Sequence, residues 1–263
     1  MPTPPTNASS TPASPPASSP PEPAEPPGIC AIHQPNLLPR LTTLAKIYTA
    51  DCWIVLDDVQ FNRRDYQHRT RLARLHDPGR QQWLTLATTL PTGRATLIRH
   101  ARLADPGHCR RRLRQMTHDY YRTSPAWDVM RHFINVLDPL FDSTDMLSEI
   151  TEASTLAMLR LLGWNGTVIR SSRLHARSGR SQRLADLTAE VGATTYLCGT
   201  GGMRYLDPTP FQEASITVLP FRRPDGPIWE HADRITSMWP VLRWGPQAIK
   251  EELNSSLARV SGR

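Results

Sequence analysis

The chain has 263 residues and a formal net charge of +7 at pH 7, nearly all of the positive charge being arginine, since lysine occurs only at Lys46 and Lys250. No apolar run approaches the roughly 18 residues that a membrane span needs, so no membrane partner is expected. Cys30, Cys52, Cys109 and Cys198 include no C-x-x-C pair, which excludes a spaced zinc site or a disulfide framework and points to a reducing cytoplasm.

Residues 1–27 hold 11 of the 25 prolines and little that could be buried. Proline fixes φ and removes a donor, so this stretch reads as a disordered tail; it lacks the basic start and apolar core of a secretory signal. Its only charges are Glu22 and Glu25, so residues 28–263, long enough for a sizeable core, carry +9.

Ile29–His33 reads as a short buried strand, followed by a helix in "LTTLAKIYTA". "CWIVLDD" (52–58) is a second strand, closed by two carboxylates. Residues 65–75 and 81–88 suggest a hairpin around Asp77-Pro78-Gly79. From about 104 to 163 the apolar period becomes helical, with Trp127, Met130, Ile134 and Leu137 on one face. Asp142, Ser143 and Thr144 are candidate caps for the last helix there, and Gly163 its stop. "TVIRSS" (167–172) is a strand, and a helix from about Ser181 ends at Gly192. "TTYLCGTGG" (194–202) is a strand running into a glycine-rich turn, and "SITVLPF" (215–221) a further strand. Beyond that we expect irregular packing and a terminal helix. Strands alternating with helices predict an α/β fold, a mainly parallel sheet with an inserted helical segment.

Ligands of open α/β sheets sit beyond the carboxyl ends of the strands. Three polar clusters fall there: His33, Gln34 and Asn36; Asp57, Asp58 and Gln60; and Cys198, Gly199, Gly201 and Gly202. Together they would supply groups for proton transfer and for binding a polar substrate. Adjacent strand residues face opposite ways, so Asp57 and Asp58 should not share a proton; one should face the crevice and the other bind an arginine. No metal is expected, and the cofactor is left open. The glycines lack the G-x-G-x-x-G spacing and read as a tight turn or a close backbone approach to ligand, with Tyr205 nearby. Cys198 lacks a neighbour that would activate it as a nucleophile. Arginine is dense in residues 59–80, 94–114 and 170–183, with Tyr66 close among it and few other aromatics. That argues against a nucleic-acid groove and for a phosphorylated or carboxylated small-molecule donor, or an acidic carrier protein.

"IHQPNLLPRLTTLAKIYTADCWIVLDDVQFNRRDYQHR" is similar to the opening of the WbqC-like family, and "SSRL" (171–174), "SQRLADLTAEVGATTYLCGTGGMRYLD" (181–207) and Phe211 also resemble it in order and spacing. The resemblance covers about residues 29 to 221. His68 stands where that family commonly has Asn, and Cys198 where Ser is common. The resemblance places His33, Gln34, Asn36, Asp57, Asp58, Gln60, Arg63, Arg69, Gly199, Gly202 and Tyr205 at motif positions. It implies a biosynthetic transferase moving an acyl or aminoacyl group onto an amino sugar or carrier-bound intermediate. His33 would be the base, Asp57 or Asp58 the orienting group, Gln34, Asn36 and the glycine-turn N–H groups the oxyanion donors, and Arg63 and Arg69 the anion holders. Nucleotidyl transfer is an alternative, although Asn36 replaces the second His of an H-x-G-H turn. A non-catalytic basic binding protein is another.

Overall fold

The computed structural model describes Met1 and residues 27–261. The tail reading therefore falls on residues that lie, but for Met1 and Pro27, outside the described ones.

Strand β1 (Ile29–His33) leads through helix α1 (Leu41–Tyr48) into β2 (Cys52–Val55). Next come an antiparallel hairpin, β3 (Arg69–Arg74) with β4 (Asp77–Thr85), and a short pair, β5 (Thr88–Thr89) with β6 (Arg102–Leu103). Helices α2 (Pro106–Tyr121), α3 (Trp127–Leu137), α4 (Leu140–Ser143) and α5 (Leu147–Leu161) form the predicted helical insertion. Then follow β7 (Thr167–Arg170), α6 (Arg180–Glu190), β8 (Thr195–Cys198), α7 (Thr200–Met203), α8 (Thr209–Glu213) and β9 (Thr217–Pro220). Helices α9 (Met238–Trp244) and α10 (Pro246–Ser261) close the chain.

The main sheet has the order β7-β2-β1-β8-β9, every pair parallel, so the fold is the α/β class expected. Parallel strands need crossover connections, and helices on both faces explain why the inner strands are apolar throughout rather than alternating. Trp53, Val55 and Leu197 join the core that includes Leu44 of α1 and Ile150 of α5. Cys30, Ile32, Cys52, Ile54, Tyr196 and Cys198 face a second core with Ala185 and Leu187 of α6 and Phe211 of α8. From β1 the chain steps outward to β2 and β7, and α6 then returns it past β1 to β8 and β9. The winding reverses between β1 and β8, which is where such sheets open a ligand crevice.

Two local expectations are corrected. The hairpin turns at Leu75-His76, and Asp77 pairs with Arg74 while Gln81 pairs with Ala73, so Pro78-Gly79-Arg80 form an irregularity within β4. The caps expected for α5 are used elsewhere: Asp142 pairs with Arg110 and the Ser143 hydroxyl donates to the Leu140 carbonyl inside α4. Thr144 accepts only from the Met146 N–H, just outside the helix. The cap of this insertion that does form is Asp105, which accepts from His108 N–H at 2.8 Å and starts α2. Gly163 and Gly192, at φ +88° and +73°, follow α5 and α6 as expected.

Trp53 is fully buried in the sheet, and its indole N–H donates to the His33 carbonyl at 3.1 Å. Trp53→Ala should therefore destabilise the protein by about 3–5 kcal/mol, read as a lowered urea midpoint; a change below about 1 kcal/mol would contradict this packing.

Candidate functional site

The end of β1 is built around two prolines and a strained residue. Past His33 the chain bends at Leu37-Leu38, between Pro35 and Pro39, with Leu38 at φ +44°. Bonds from other elements hold this turn. Thr155 donates to the Asn36 carbonyl at 3.0 Å, the Leu38 N–H donates to Ser154 at 2.9 Å, and Thr70 donates to the Leu38 carbonyl at 3.0 Å. A non-glycine residue at positive φ persists only under such over-determination.

His33 is half-buried, with Nδ1 2.8 Å from the Gln34 carbonyl oxygen. A carbonyl can only accept, so Nδ1 carries the proton and Nε2 keeps its lone pair. Desolvation, then the charge of Lys46, pushes the His33 pKa down to about 3, so the ring is neutral at physiological pH. Lys46 of α1 is buried, and its Nζ donates to the Ile32 carbonyl at 2.8 Å. Burial brings its pKa down to about 8. Both side chains line a crevice of about 380 Å³, together with Arg40, Thr42, Tyr196 and the Gly199–Gly202 turn. This crevice opens where the sheet reverses.

In that turn the Gly202 and Met203 N–H groups donate to the Gly199 carbonyl, at 2.9 and 3.2 Å. The N–H groups of Thr200 and Gly201 carry no such bond among the described residues. A Cβ at Gly202 would lie 2.8 Å from the Cys198 sulfur, so any side chain there would have to displace the thiol. Cys198 itself is buried and its thiol pKa is raised by desolvation, which leaves it an inert packing group.

The carboxylates are engaged by the turn that follows β7 and by α6. Asp57 is buried and accepts from the Ser172 N–H at 3.0 Å and the Ser172 hydroxyl at 2.8 Å. Asp58 pairs with Arg183 of α6 at 2.5 Å. The Ser171 oxygen lies 2.5 Å from Asp58 and 3.1 Å from Asp57, and its single proton serves one of them at a time. The expected split thus takes a different form: one carboxylate holds an arginine, and the other ties β2 to β7. Among the described residues neither bonds to His33; the ring's partner is the Gln34 carbonyl.

The remaining candidates disperse. Gln34 accepts from Gln67 at 2.7 Å and lines a different cavity, with Gln60 and Arg63. Asn36 is buried, its Oδ1 without a hydrogen-bond partner among the described residues and its amide nitrogen 3.1 Å from the Pro35 carbonyl. Gln60 donates to the Arg94 carbonyl at 2.6 Å. Arg69 donates to the Arg64 and Asp65 carbonyls and stacks 4.2 Å from the Trp83 ring, so it fixes a loop. Tyr205 is 68% exposed beneath Arg180, outside the crevice lining. His68 is buried against Phe61, its pKa driven down to about 4 by desolvation. Gly201 belongs to the crevice with Gly199 and Gly202.

The residue that sequence reasoning missed is Lys46. The available signal was one of only two lysines in an arginine-rich chain, set within the apolar run "LTTLAKIY". Ser171, Ser172 and Arg183 were visible only as part of a motif or a charge run. Among the described residues no three His, Cys, Asp or Glu side chains come together as a metal-binding group. A larger groove, about 1230 Å³, lies between α2 and α3, away from the strand ends; Arg114 and Arg131 in its lining are already paired with Asp138 and Asp128.

The molecule is an α/β protein with a doubly wound parallel sheet and a crevice at its winding reversal, the place where such sheets take ligands. Residues 34–232 match the WbqC-like protein family, and the chain belongs to that family. The match takes in Lys46, both aspartates and the glycine turn, begins one residue after His33, and extends beyond Phe221. The chain is also 25% identical over 196 residues to Rv1507c of Mycobacterium tuberculosis (strain ATCC 25618 / H37Rv), described as an uncharacterized protein, covering 73% of this chain and 80% of that one. No solved structure matches.

Two outcomes test this geometry. Gly202→Ala should cost about 1–3 kcal/mol of stability, and adding Cys198→Ala should recover part of it, so that the pair is less harmful than the sum of the singles in urea melts. Strict additivity would contradict the contact. The depressed His33 pKa also sets an acid limb. Between pH 6.5 and about 3 the unfolded chain binds a proton that the folded ring refuses, so this contribution is present above pH 6.5 and is lost as pH falls. The urea midpoint of His33→Gln should fall less steeply across that window than the parent's, His68 still contributing its own share in both; equal slopes would remove the buried neutral imidazole.

Proposed function

We propose that this protein transfers an acyl or aminoacyl group from an activated, phosphorylated or carboxylated donor to an amine or hydroxyl, the acceptor being an amino sugar or a carrier-bound intermediate. The observation that carries this reading is the meeting of a neutral imidazole and a desolvated ammonium in one crevice beside unpaired backbone N–H groups. His33 Nε2 takes the proton of the acceptor as its heteroatom attacks the donor carbonyl carbon. The oxygen of the tetrahedral species lies near the Lys46 charge and the Thr200 and Gly201 N–H groups, which stabilise it. Collapse breaks the bond to the leaving group, and His33 returns the proton to it. Asp57 and Asp58 contribute by fixing the neighbouring strand ends. Four buried free cysteines fit a reducing cytoplasm for this chemistry.

The strand order favours nucleotidyl transfer as a second reading, because doubly wound sheets commonly bind nucleotide phosphates at the winding reversal. Acid-dependent exchange of labelled pyrophosphate into ATP would select it over acyl transfer.

Incubation with a panel of acyl and aminoacyl donors and amino-sugar acceptors, read by mass spectrometry, should give a product heavier by the acyl group. His33→Gln should slow it by about 10²–10⁴-fold. The rate should fall as pH rises through about 8 and Lys46 loses its proton. Lys46→Arg should shift that limb upward, and full turnover in His33→Gln would overturn the scheme.

A further inference from the structure

We infer that a second cavity, of about 730 Å³, is a subsite for a phosphate ester or diphosphate, held by Arg63, Arg64, Arg94 and the amide of Gln34. The volume lies within the roughly 300–1,000 Å³ usual for small-molecule sites. It belongs to the same strand end as the first cavity: His33 lines one and Gln34, the next residue, lines the other.

The three arginines are exposed and in no ion pair among the described residues, whereas Arg102, Arg110 and Arg114 each hold an aspartate. One carboxylate, Asp65, lines the cavity, and its Oδ1 accepts from the Tyr66 N–H. Three guanidinium groups against one carboxylate leave an excess of two positive charges, which matches a phosphate dianion better than a carboxylate. Guanidinium forks grip phosphate oxygens two at a time.

The backbone carrying these charges is fixed in advance. Arg69 donates to the Arg64 carbonyl at 2.6 Å, and Gln60 donates to the Arg94 carbonyl at 2.6 Å. The Phe61 N–H meets the Thr96 carbonyl at 2.8 Å, joining the two loops. Gln67, wholly buried, accepts from the Asn62 N–H and donates to the Gln34 Oε1. With its oxygen so occupied, Gln34 keeps its amide N–H groups for a ligand. Such a site would hold the anionic part of the donor one residue from His33. This deepens the group-transfer reading, on which it rests only for the identity of the anion's owner.

Isothermal titration of inorganic pyrophosphate into the full chain at low salt tests it without any chemical step. We expect one-to-one binding, preferred over acetate and weakened by salt. The double change Arg64→Ala and Arg94→Ala should weaken binding by at least about tenfold, or 1.4 kcal/mol, with an unaltered melting temperature, since both side chains are exposed. His33→Gln and Lys46→Met should bind as the parent does. Absence of binding, binding that survives loss of the arginines, or binding abolished by Lys46→Met would each overturn the assignment, the last by placing the anion in the first cavity. Pyrophosphate binding as expected, with no acyl transfer by the parent, would defeat the group-transfer reading alone.

Discussion

The ammonium of Lys46 against the Ile32 carbonyl is the contact from which the rest of the site follows. A parallel strand buried on both faces ends with backbone carbonyls that neither water nor a neighbouring strand fully satisfies. Here the penultimate carbonyl of β1 takes a charged donor from α1. The last one takes the Trp53 indole and the Leu56 N–H. Bringing a lysine into that position costs desolvation, visible in its pKa, and the same positive charge helps keep the adjacent imidazole neutral. One interaction thus ends the strand, docks the helix and adds to the desolvation that keeps His33 neutral.

The other strand ends are satisfied by different means. β2 closes on carboxylates that serine groups beyond β7 and Arg183 of α6 hold. β8 closes on a glycine turn so near Cys198 that a Cβ at Gly202 would displace the thiol. The serine ties cross from β2 to the turn after β7, on one side of β1, while the glycine turn lies at the end of β8 on the other side. Rigid support of this kind is what a site needs to present an imidazole at a fixed angle.

Consecutive residues His33 and Gln34 contribute to separate cavities, and this divides the chemistry. One cavity is small and carries an imidazole and an ammonium. The other is larger and dominated by guanidinium groups on two loops. The prolines flanking Asn36 belong to the turn that makes this division possible, but Thr155, Ser154 and Thr70 hold that turn in place.

Much of the fold was legible in the chain because the relevant signals are local. Apolar runs gave β1, β2 and β8, the 3.6-residue period gave α3 and α5, and glycines marked the ends of α5 and α6. Hairpin register and helix caps were misread where a side chain had a better partner elsewhere, as Asp142 does in Arg110. Within the site, His33 and the glycine turn could be singled out as polar groups at strand ends. The partners of Asp57 lie more than a hundred residues away, and nothing local distinguishes a carboxylate tied to Ser172 from one facing a ligand. Nor does a lysine in a helix announce that it is buried. The sequence by itself determined which elements form and which polar groups close the strands, since periodicity and turn chemistry act over a few residues. Only the tertiary structure decided which of those groups meet, because strand order, and with it the reversal between β1 and β8, is set by packing across the whole sheet.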